Sequence, residues 1–291
     1  MAGEAKKNKK RKKFSWGKFF LYFFMLLLVA FTSLPLIYMI CSAFKPLDEL
    51  FLYPPRFFVK KPTLRNFSEL LTTLDSTSVP FTRFVFNSLF TTAVTVFGTV
   101  IICSMGAFAL EKYDLPWANT IFNIVVAALM FAPQVTQIPN YLIVNKLGLI
   151  NTYWALIIPK LAVAYNFFLM KQFMEGVPNE LLEAARIDGA KEFRIFWSMV
   201  MPMAKPAWAT LIVFSFVSNW NDYFSPLVFI TSQTMKTLPL ALQTIQGGPG
   251  QVARSGAVAA ATFLTVLPTI LIFLFMQSKV MKTMAYSGIK A

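Results

Sequence analysis

The sequence contains no histidine and only two cysteines, Cys41 and Cys103, both inside apolar stretches. Zinc-ligand clusters and histidine-based acid–base catalysis are thereby excluded. A disulfide between two thiols in hydrocarbon-like surroundings is not expected, and both cysteines read as small apolar packing residues. Charge is scarce as well, with 14% of residues ionisable as Asp, Glu, Lys or Arg, where an ordinary soluble domain has roughly 25%. None of the 12 glycines stands in a G-x-x-x-x-G-K-[ST] loop, so no nucleotide triphosphate can be cradled in that manner. No cofactor is expected in this chain, and if ATP drives it, another subunit binds the ATP and its magnesium.

What the sequence does have is apolar length. Hydrophobic residues make up 56% of the 291 positions and the mean hydropathy is +0.58, in uninterrupted runs that mark a polytopic, all-α membrane protein. Between Lys18 and Lys45 lie 26 uncharged residues, which as a helix would reach about 39 Å against a hydrocarbon core of about 30 Å. The segment is too long for a signal-peptide core and lacks a clear small-x-small cleavage site, so it reads as an uncleaved anchor. A second span covers 84–110. The third runs from Leu115 to about Ala132, where Pro133 interrupts it and Gln134, Gln137, Pro139 and Asn140 suggest an exit to the far side. The fourth runs from Gly148 to Met170, the fifth from Pro206 past Asp222 and Pro226 to about Thr231, and the sixth from Ser255 to Ser278. This divides the chain into a basic segment 1–18, a six-span domain 19–278 and a tail 279–291.

The net charge of +14 would raise the question of nucleic acid in a soluble protein, but eight of the 27 basic residues, Lys6 to Lys18, precede the first apolar run. Such a cluster reports orientation and attraction to anionic lipid, and no nucleic-acid partner is expected. With a cytoplasmic N-terminus, 17 Lys and Arg fall inside and nine outside, Lys160 lying within the fourth span. Both termini are therefore expected in the cytoplasm of a cell whose plasma or inner membrane this chain crosses.

One inside connection is long and polar. Residues 171–205 carry five basic and five acidic side chains and cannot cross the membrane. A helix is expected over Glu180 to Asp188, with Asn179 as N-cap and Gly189 as its stop, and a second short helix over Ile195 to Met199 ending at Met201-Pro202. By itself the segment could be an amphipathic helix on the membrane surface, with Glu183 paired to Arg186 one turn on.

The run Glu183-Ala184-Ala185, three residues, Gly189, nine residues to Met199, then Met201-Pro202 resembles the E-A-A---G---------I-L-P pattern of ABC importer permeases. Met199 and Met201 stand where that family usually has Ile and Leu. The resemblance extends over nearly the whole chain and points to the maltose-type carbohydrate subfamily. It is carried also by Pro62-Thr63-Leu64-Arg65-Asn66-Phe67, Phe86-Asn87-Ser88-Leu89, Leu147 to Trp154, Asn219 to Leu227, and Thr237-Leu238-Pro239. It implies a type I importer permease fold of six transmembrane helices, with a coupling helix between spans four and five that enters a cleft on the ATPase subunit. Glu183, Ala184, Ala185, Arg186, Asp188, Gly189 and Pro202 are then the docking residues: Ala184, Ala185 and Gly189 let a partner approach the backbone, and Glu183 and Arg186 offer charges for pairing. The implied partners are a second homologous permease, a pair of ATPase subunits, an external solute-binding protein and a sugar.

Two charges lie within the expected spans. Asp222 falls about 24 Å from the start of the fifth, and an acidic group there is costly unless it faces a cavity or partner. Its neighbours Asn219, Trp220, Asn221 and Tyr223 supply amides for hydroxyls and aromatic faces for sugar rings, or else form an interfacial aromatic belt. Lys160 follows Pro159, which frees a backbone carbonyl the ammonium could reach. It either meets an anionic substrate or pairs within the bundle. An importer of a non-sugar solute and an ion-coupled secondary transporter are the competing readings. The latter needs cation-coordinating groups near the midplane and commonly two similar halves, and no internal repeat is visible. A membrane-embedded enzyme lacks a nucleophile–base constellation.

Overall fold

The computed structural model describes residues 16–75, 79–246 and 254–288; Lys6 to Lys13 of the basic segment lie outside them. Every regular element among the described residues is helical. Apart from the single turns Leu47–Leu50 and Gln233–Met235, in chain order they are α1 (Trp16–Phe44), α2 (Arg65–Asp75), α3 (Phe81–Lys112), α4 (Ala118–Ala128), α5 (Pro133–Lys146), α6 (Tyr153–Lys160, its last turn 3₁₀), α7 (Ala164–Glu175), α8 (Asn179–Ile187), α9 (Glu192–Met203), α10 (Lys205–Trp220), α11 (Phe224–Phe229), α12 (Leu238–Gln246) and α13 (Ser255–Gly288). Among the described residues three helices, α1, α3 and α13 up to Ser278, are long and apolar enough to cross a membrane unbroken, and up to six spans result if each bent pair counts as one.

The breaks differ from those expected. The third span ends as a helix at Ala128, and α5 departs from α4 at 113°. Pro133 does not terminate a helix; it starts one, because its missing N–H and fixed φ suit the first helical position, and Pro139 is accommodated further along α5. The fifth span does not run through Asp222 either. Asn221 closes α10, and the Asp222 carboxylate accepts the Ser225 N–H at 3.0 Å, opening α11 as a separate short helix.

α3 is the central helix, packed against α7, α10 and α12. A stripe at every fourth position, Asn87, Thr91, Thr95, Thr99, Cys103 and Ala107, is buried along it. Side chains this small let helices approach closely where hydrocarbon supplies no hydrophobic drive. Thr91 and Thr95 return their hydroxyls to the carbonyls one turn back at 2.7 Å, so both are satisfied within the helix. Gly98 and Gly106 extend the effect, since a methyl at either would lie 2.5 Å from Leu161 Cδ2 or 2.8 Å from Phe167 Cε2.

α1 behaves differently. Trp16 to Val29 are exposed almost throughout, and in α1 only Ser42 and Ala43 are buried, where Phe44 meets Phe67 and Phe263 at ring distances of 5.2 and 5.8 Å. Lipid or another chain must cover a helix so apolar all round.

Two apolar clusters hold opposite ends of the bundle. Phe108, Met170, Met174, Leu182, Ile195, Phe196 and Leu211 belong to one, at the end where α8 and α9 lie. Leu70, Phe84, Trp220, Leu238 and Ala260 belong to the other.

Candidate functional site

The segments that carried the family resemblance, far apart in sequence, meet at the second of these ends. Asn87 donates from its amide to the carbonyls of Thr234 and Lys236 at 2.9 and 2.8 Å and accepts from the Tyr153 hydroxyl at 2.7 Å. Ser88 accepts the Leu238 N–H at 2.8 Å, and Asn151 accepts those of Thr231 and Ser232 at 3.2 and 2.9 Å. Asn66 likewise donates to the carbonyls of Ala43 and Lys45 at 2.9 and 2.7 Å. Each polar side chain satisfies loop backbone that has no helical partner, so the loops are fixed to the ends of the helices.

Below this frame, Lys160 at the end of α6 and Asp222 in the turn after α10 form an ion pair. The ammonium thus finds a carboxylate and not the carbonyl freed by Pro159. Both groups are mostly inside, with side-chain exposures of 22% and 15%. Carbonyls at the α6–α7 break are also occupied: Thr99 donates to that of Lys160 at 3.2 Å, and the Cys103 thiol lies 3.8 Å from that of Leu161. Beside the pair opens a cavity of about 400 Å³ lined by Lys160, Val163, Tyr165, Asn166, Phe214, Ser215, Ser218 and Asn219. The Tyr165 and Phe214 rings meet edge to face at 5.6 Å. Amides, hydroxyls and one ammonium beside two aromatic rings form a surface suited to a polyhydroxylated solute.

The expected 219–223 cluster divides. Asn219 and Lys160 line the cavity, and Asp222 lines a small recess with them. Trp220 does not: it is 2% exposed, stacked on Phe216, and donates its indole N–H to the Thr265 carbonyl at 2.8 Å, so it holds α10 to α13. Asn221 returns its amide to the Val217 carbonyl at 2.9 Å as part of the helix end, and Tyr223 is exposed. Tyr165, Asn166, Phe214, Ser215 and Ser218 were not anticipated from sequence. The available signal was the interruption of the fourth span by Pro159, with a polar Asn166 further along the same apolar run.

At the opposite end, α8 forms where expected, one residue out of phase at its start. Pro178 occupies the cap position and Asn179 is the first helical residue, its side-chain Oδ1 accepting from the Lys112 ammonium at 2.9 Å. The stop is the expected one. Gly189 has φ +79, the Gly189 N–H bonds the Arg186 carbonyl at 3.0 Å, and the Ala190 N–H reaches back to that of Ala185 at 2.9 Å. This is a Schellman closure, which favours glycine at the left-handed residue.

Glu183, Ala184, Asp188, Gly189 and Pro202 are exposed. Ala185 is turned inward against Leu182 and the bundle's own cluster. Arg186 pairs not with Glu183 but with Glu192, Nε to Oε1 at 2.7 Å, and Tyr113 donates its hydroxyl to Glu192 Oε2 at 2.5 Å. Hydrogen bonds from Arg186 and then Tyr113 hold the Glu192 carboxyl below the usual carboxylate range. Burial, followed by the carboxylate, pushes the Tyr113 phenol up. Around Ala184 the α8–α9 surface presents Leu181, Ile187, Phe193 and Trp197 to the outside, Ile187 at 86% and Phe193 at 70% exposure.

A helical bundle with broken spans around a polar cavity, carrying an exposed apolar helix pair at one end, is a multi-pass membrane transport subunit. Residues 2–280 match the family described as binding-protein-dependent transport system inner membrane component, and the chain belongs to it. It is 30% identical over 271 residues to a putative ABC transporter permease protein, ORF2, of Caldicellulosiruptor sp., covering 92% of this chain and 96% of that one. It is also 30% identical over 269 residues to the arabinooligosaccharides transport system permease protein AraQ of Halalkalibacterium halodurans, covering 90% and 93%. Among solved structures, a chain of a bacterial ABC transporter involved in the import of the acidic polysaccharide alginate superposes with a TM-score of 0.79 at 24% identity, over 91% of this chain and 98% of that chain, which establishes the shared fold.

Proposed function

We propose that this chain is the transmembrane permease subunit of an ATP-driven, binding-protein-dependent carbohydrate importer. The observation that carries the solute class is the cavity of about 400 Å³ between the α6–α7 break and α10, where Tyr165 and Phe214 flank Asn166, Ser215, Ser218 and Asn219. Hydroxyl-rich rings need both kinds of contact: hydrogen bonds to the ring substituents and apolar surface for the ring face. The arabinooligosaccharide relative supports the same class. Lys160 faces the cavity already paired with Asp222, which favours a neutral saccharide over an anionic one.

The α8–α9 surface is the docking site for a separate ATPase pair that binds ATP and magnesium, with Glu183, Ala184, Asp188, Gly189 and Pro202 exposed around it. A second homologous permease completes the translocation path and an external solute-binding protein delivers the sugar. The excess of basic residues on the α8–α9 side supports a cytoplasmic placement of that end and of both termini.

The test is Ser218→Trp, which fills the cavity from an exposed position on α10. In proteoliposomes holding the complete complex, uptake of labelled arabino- and malto-oligosaccharides should be lost while ATP hydrolysis stimulated by loaded binding protein persists. Uptake at the unmodified rate would refute the assignment of this cavity to the path.

A further inference from the structure

The cavity and recess are walled by α10, by the α6–α7 break and by α3, which contributes Thr91. Two of these walls are joined to the docking surface by the backbone itself. α7 ends at Glu175 and α8 begins at Asn179, while α9 passes into α10 at Ala204 with a bend of 79°. α3 has no such covalent connection, its chain continuing from Lys112 towards α4.

It is nevertheless fastened to the docking segment by its last residue and the one after. The Lys112 ammonium donates to the Val177 carbonyl at 2.6 Å and to Asn179 Oδ1 at 2.9 Å, gripping the turn that leads into α8. Tyr113 donates to Glu192 Oε2 on α9 at 2.5 Å, and Arg186 on α8 holds the other oxygen at 2.7 Å while its guanidinium lies 5.7 Å from the Tyr113 ring centre. One carboxylate thus joins α8, α9 and the end of α3. The ring is seated in turn, Tyr113 against Phe108 at 5.7 Å and Phe108 against Phe196 at 5.5 Å. α8 and α9 also share the apolar cluster of Leu182, Ala185, Ile195 and Phe196, and the turn between them pivots at Gly189, which has open space around it.

We propose that Tyr113 and Glu192 are positioning residues that hand movement of the docked α8–α9 pair to α3, so that the third wall of the cavity moves with the other two. The inference rests on the docking reading given above. Glu192 and Arg186 are partly exposed, at 46% and 36% of their side chains, and such pairs contribute little to stability. Their removal should leave the subunit folded and assembled and should appear in coupling.

The experiment uses the complete complex in proteoliposomes, with arabino- and malto-oligosaccharides as probes and with Tyr113→Phe, Glu192→Ala and Glu192→Gln. Tyr113→Phe keeps the ring and removes the donor. Glu192→Ala removes the acceptor, and Glu192→Gln keeps an acceptor for the phenol. For Tyr113→Phe and Glu192→Ala we expect maximal uptake per ATP hydrolysed to fall about tenfold, within the usual range of coupling between sites. The half-saturating concentration of loaded binding protein and the yield of ATPase-bound complex should stay unchanged. Glu192→Gln should retain most of the coupling, and the double variant Tyr113→Phe/Glu192→Ala should be no worse than either single change.

Unchanged uptake per ATP in Tyr113→Phe and Glu192→Ala would overturn the proposal. So would loss of assembly in Tyr113→Phe, which would assign the tyrosine a merely structural part. Failure of the docking reading is seen separately: Phe193→Glu combined with Trp197→Glu should abolish ATPase association, and normal association of that variant would remove the docking surface and this inference together. If the docking variant dissociates and Tyr113→Phe still couples fully, only the α3 linkage falls.

Discussion

Replacing Lys160 by Met isolates the contribution of the Lys160–Asp222 pair. Methionine matches the lysine stem in length and polarisability but carries no charge. Asp222 then keeps one partner, the Ser225 N–H at 3.0 Å on Oδ1, while Oδ2 loses its only cation. Breaking a fully buried pair on one side costs about 3–5 kcal/mol. Here the carboxylate is 15% exposed and borders a cavity able to admit water, so about 2–3 kcal/mol is the expected loss. Asp222→Asn should be milder, about 1–2 kcal/mol, because the lysine left behind can extend its long stem into the cavity. Removing both charges in Lys160→Met/Asp222→Asn takes away the uncompensated ion and should return stability to within about 1 kcal/mol of the unmodified protein. The assay is the apparent melting midpoint of the purified complex in detergent, followed by fluorescence-detected size exclusion. At about 2 °C per kcal/mol for a chain of this size, Lys160→Met should melt about 4–6 °C lower and the double variant within about 2 °C. Additive losses in the double variant would refute the pairing as the reason these charges persist inside the bundle.

Three other outcomes follow from the loop and its sidedness. A methyl at Gly189 meets nothing within 4 Å, so Gly189→Ala should cost about 1 kcal/mol through its φ of +79 alone and Gly189→Asn less. Gly189→Trp should additionally block ATPase association, and a pull-down giving equal recovery for Trp and Ala would show that no partner approaches there. A reporter active only outside the cell should be active when fused within 45–83 and silent within 171–205, and inversion at either site would overturn the orientation. Because Glu192 is held below the usual carboxylate range by Arg186 and Tyr113, its contribution to loop order is present at neutral pH and is lost as pH falls through that depressed value. Protease cleavage between α8 and α9 should accelerate on acidification in the unmodified protein and be fast at all pH in Glu192→Ala; a flat profile in the unmodified protein would refute this.

Apolar runs made the long helices legible, because length and absence of charge are properties of the sequence itself. The breaks were not. Gln134, Gln137 and Asn140 after Pro133 read as an exit from the membrane, whereas Pro133 starts α5 and the chain bends by 113° between α4 and α5, which no local pattern in the sequence marks. The end of α10 at Trp220 was hidden for another reason, since Asp222 is drawn out of the helix by a lysine 62 positions earlier and by a backbone amide three positions later. A pointer did exist: Lys160 and Asp222 are the two charges within the expected spans, opposite in sign. The glycine stop was legible because only local backbone chemistry sets it. The reach of Tyr113 to Glu192, across 79 positions, has no local signature at all.

The exposure of most of α1 bears on the order in which the bundle assembles. A helix whose first half, Trp16 to Val29, stays exposed draws little stability from burial against the rest of its chain. It can leave the ribosome, enter the bilayer and settle there as an autonomous unit, while the broken segments that follow must wait for one another before their loose carbonyls and charges are matched. The helix that leans least on its own chain can thus tether it at the membrane while the broken segments assemble beside it.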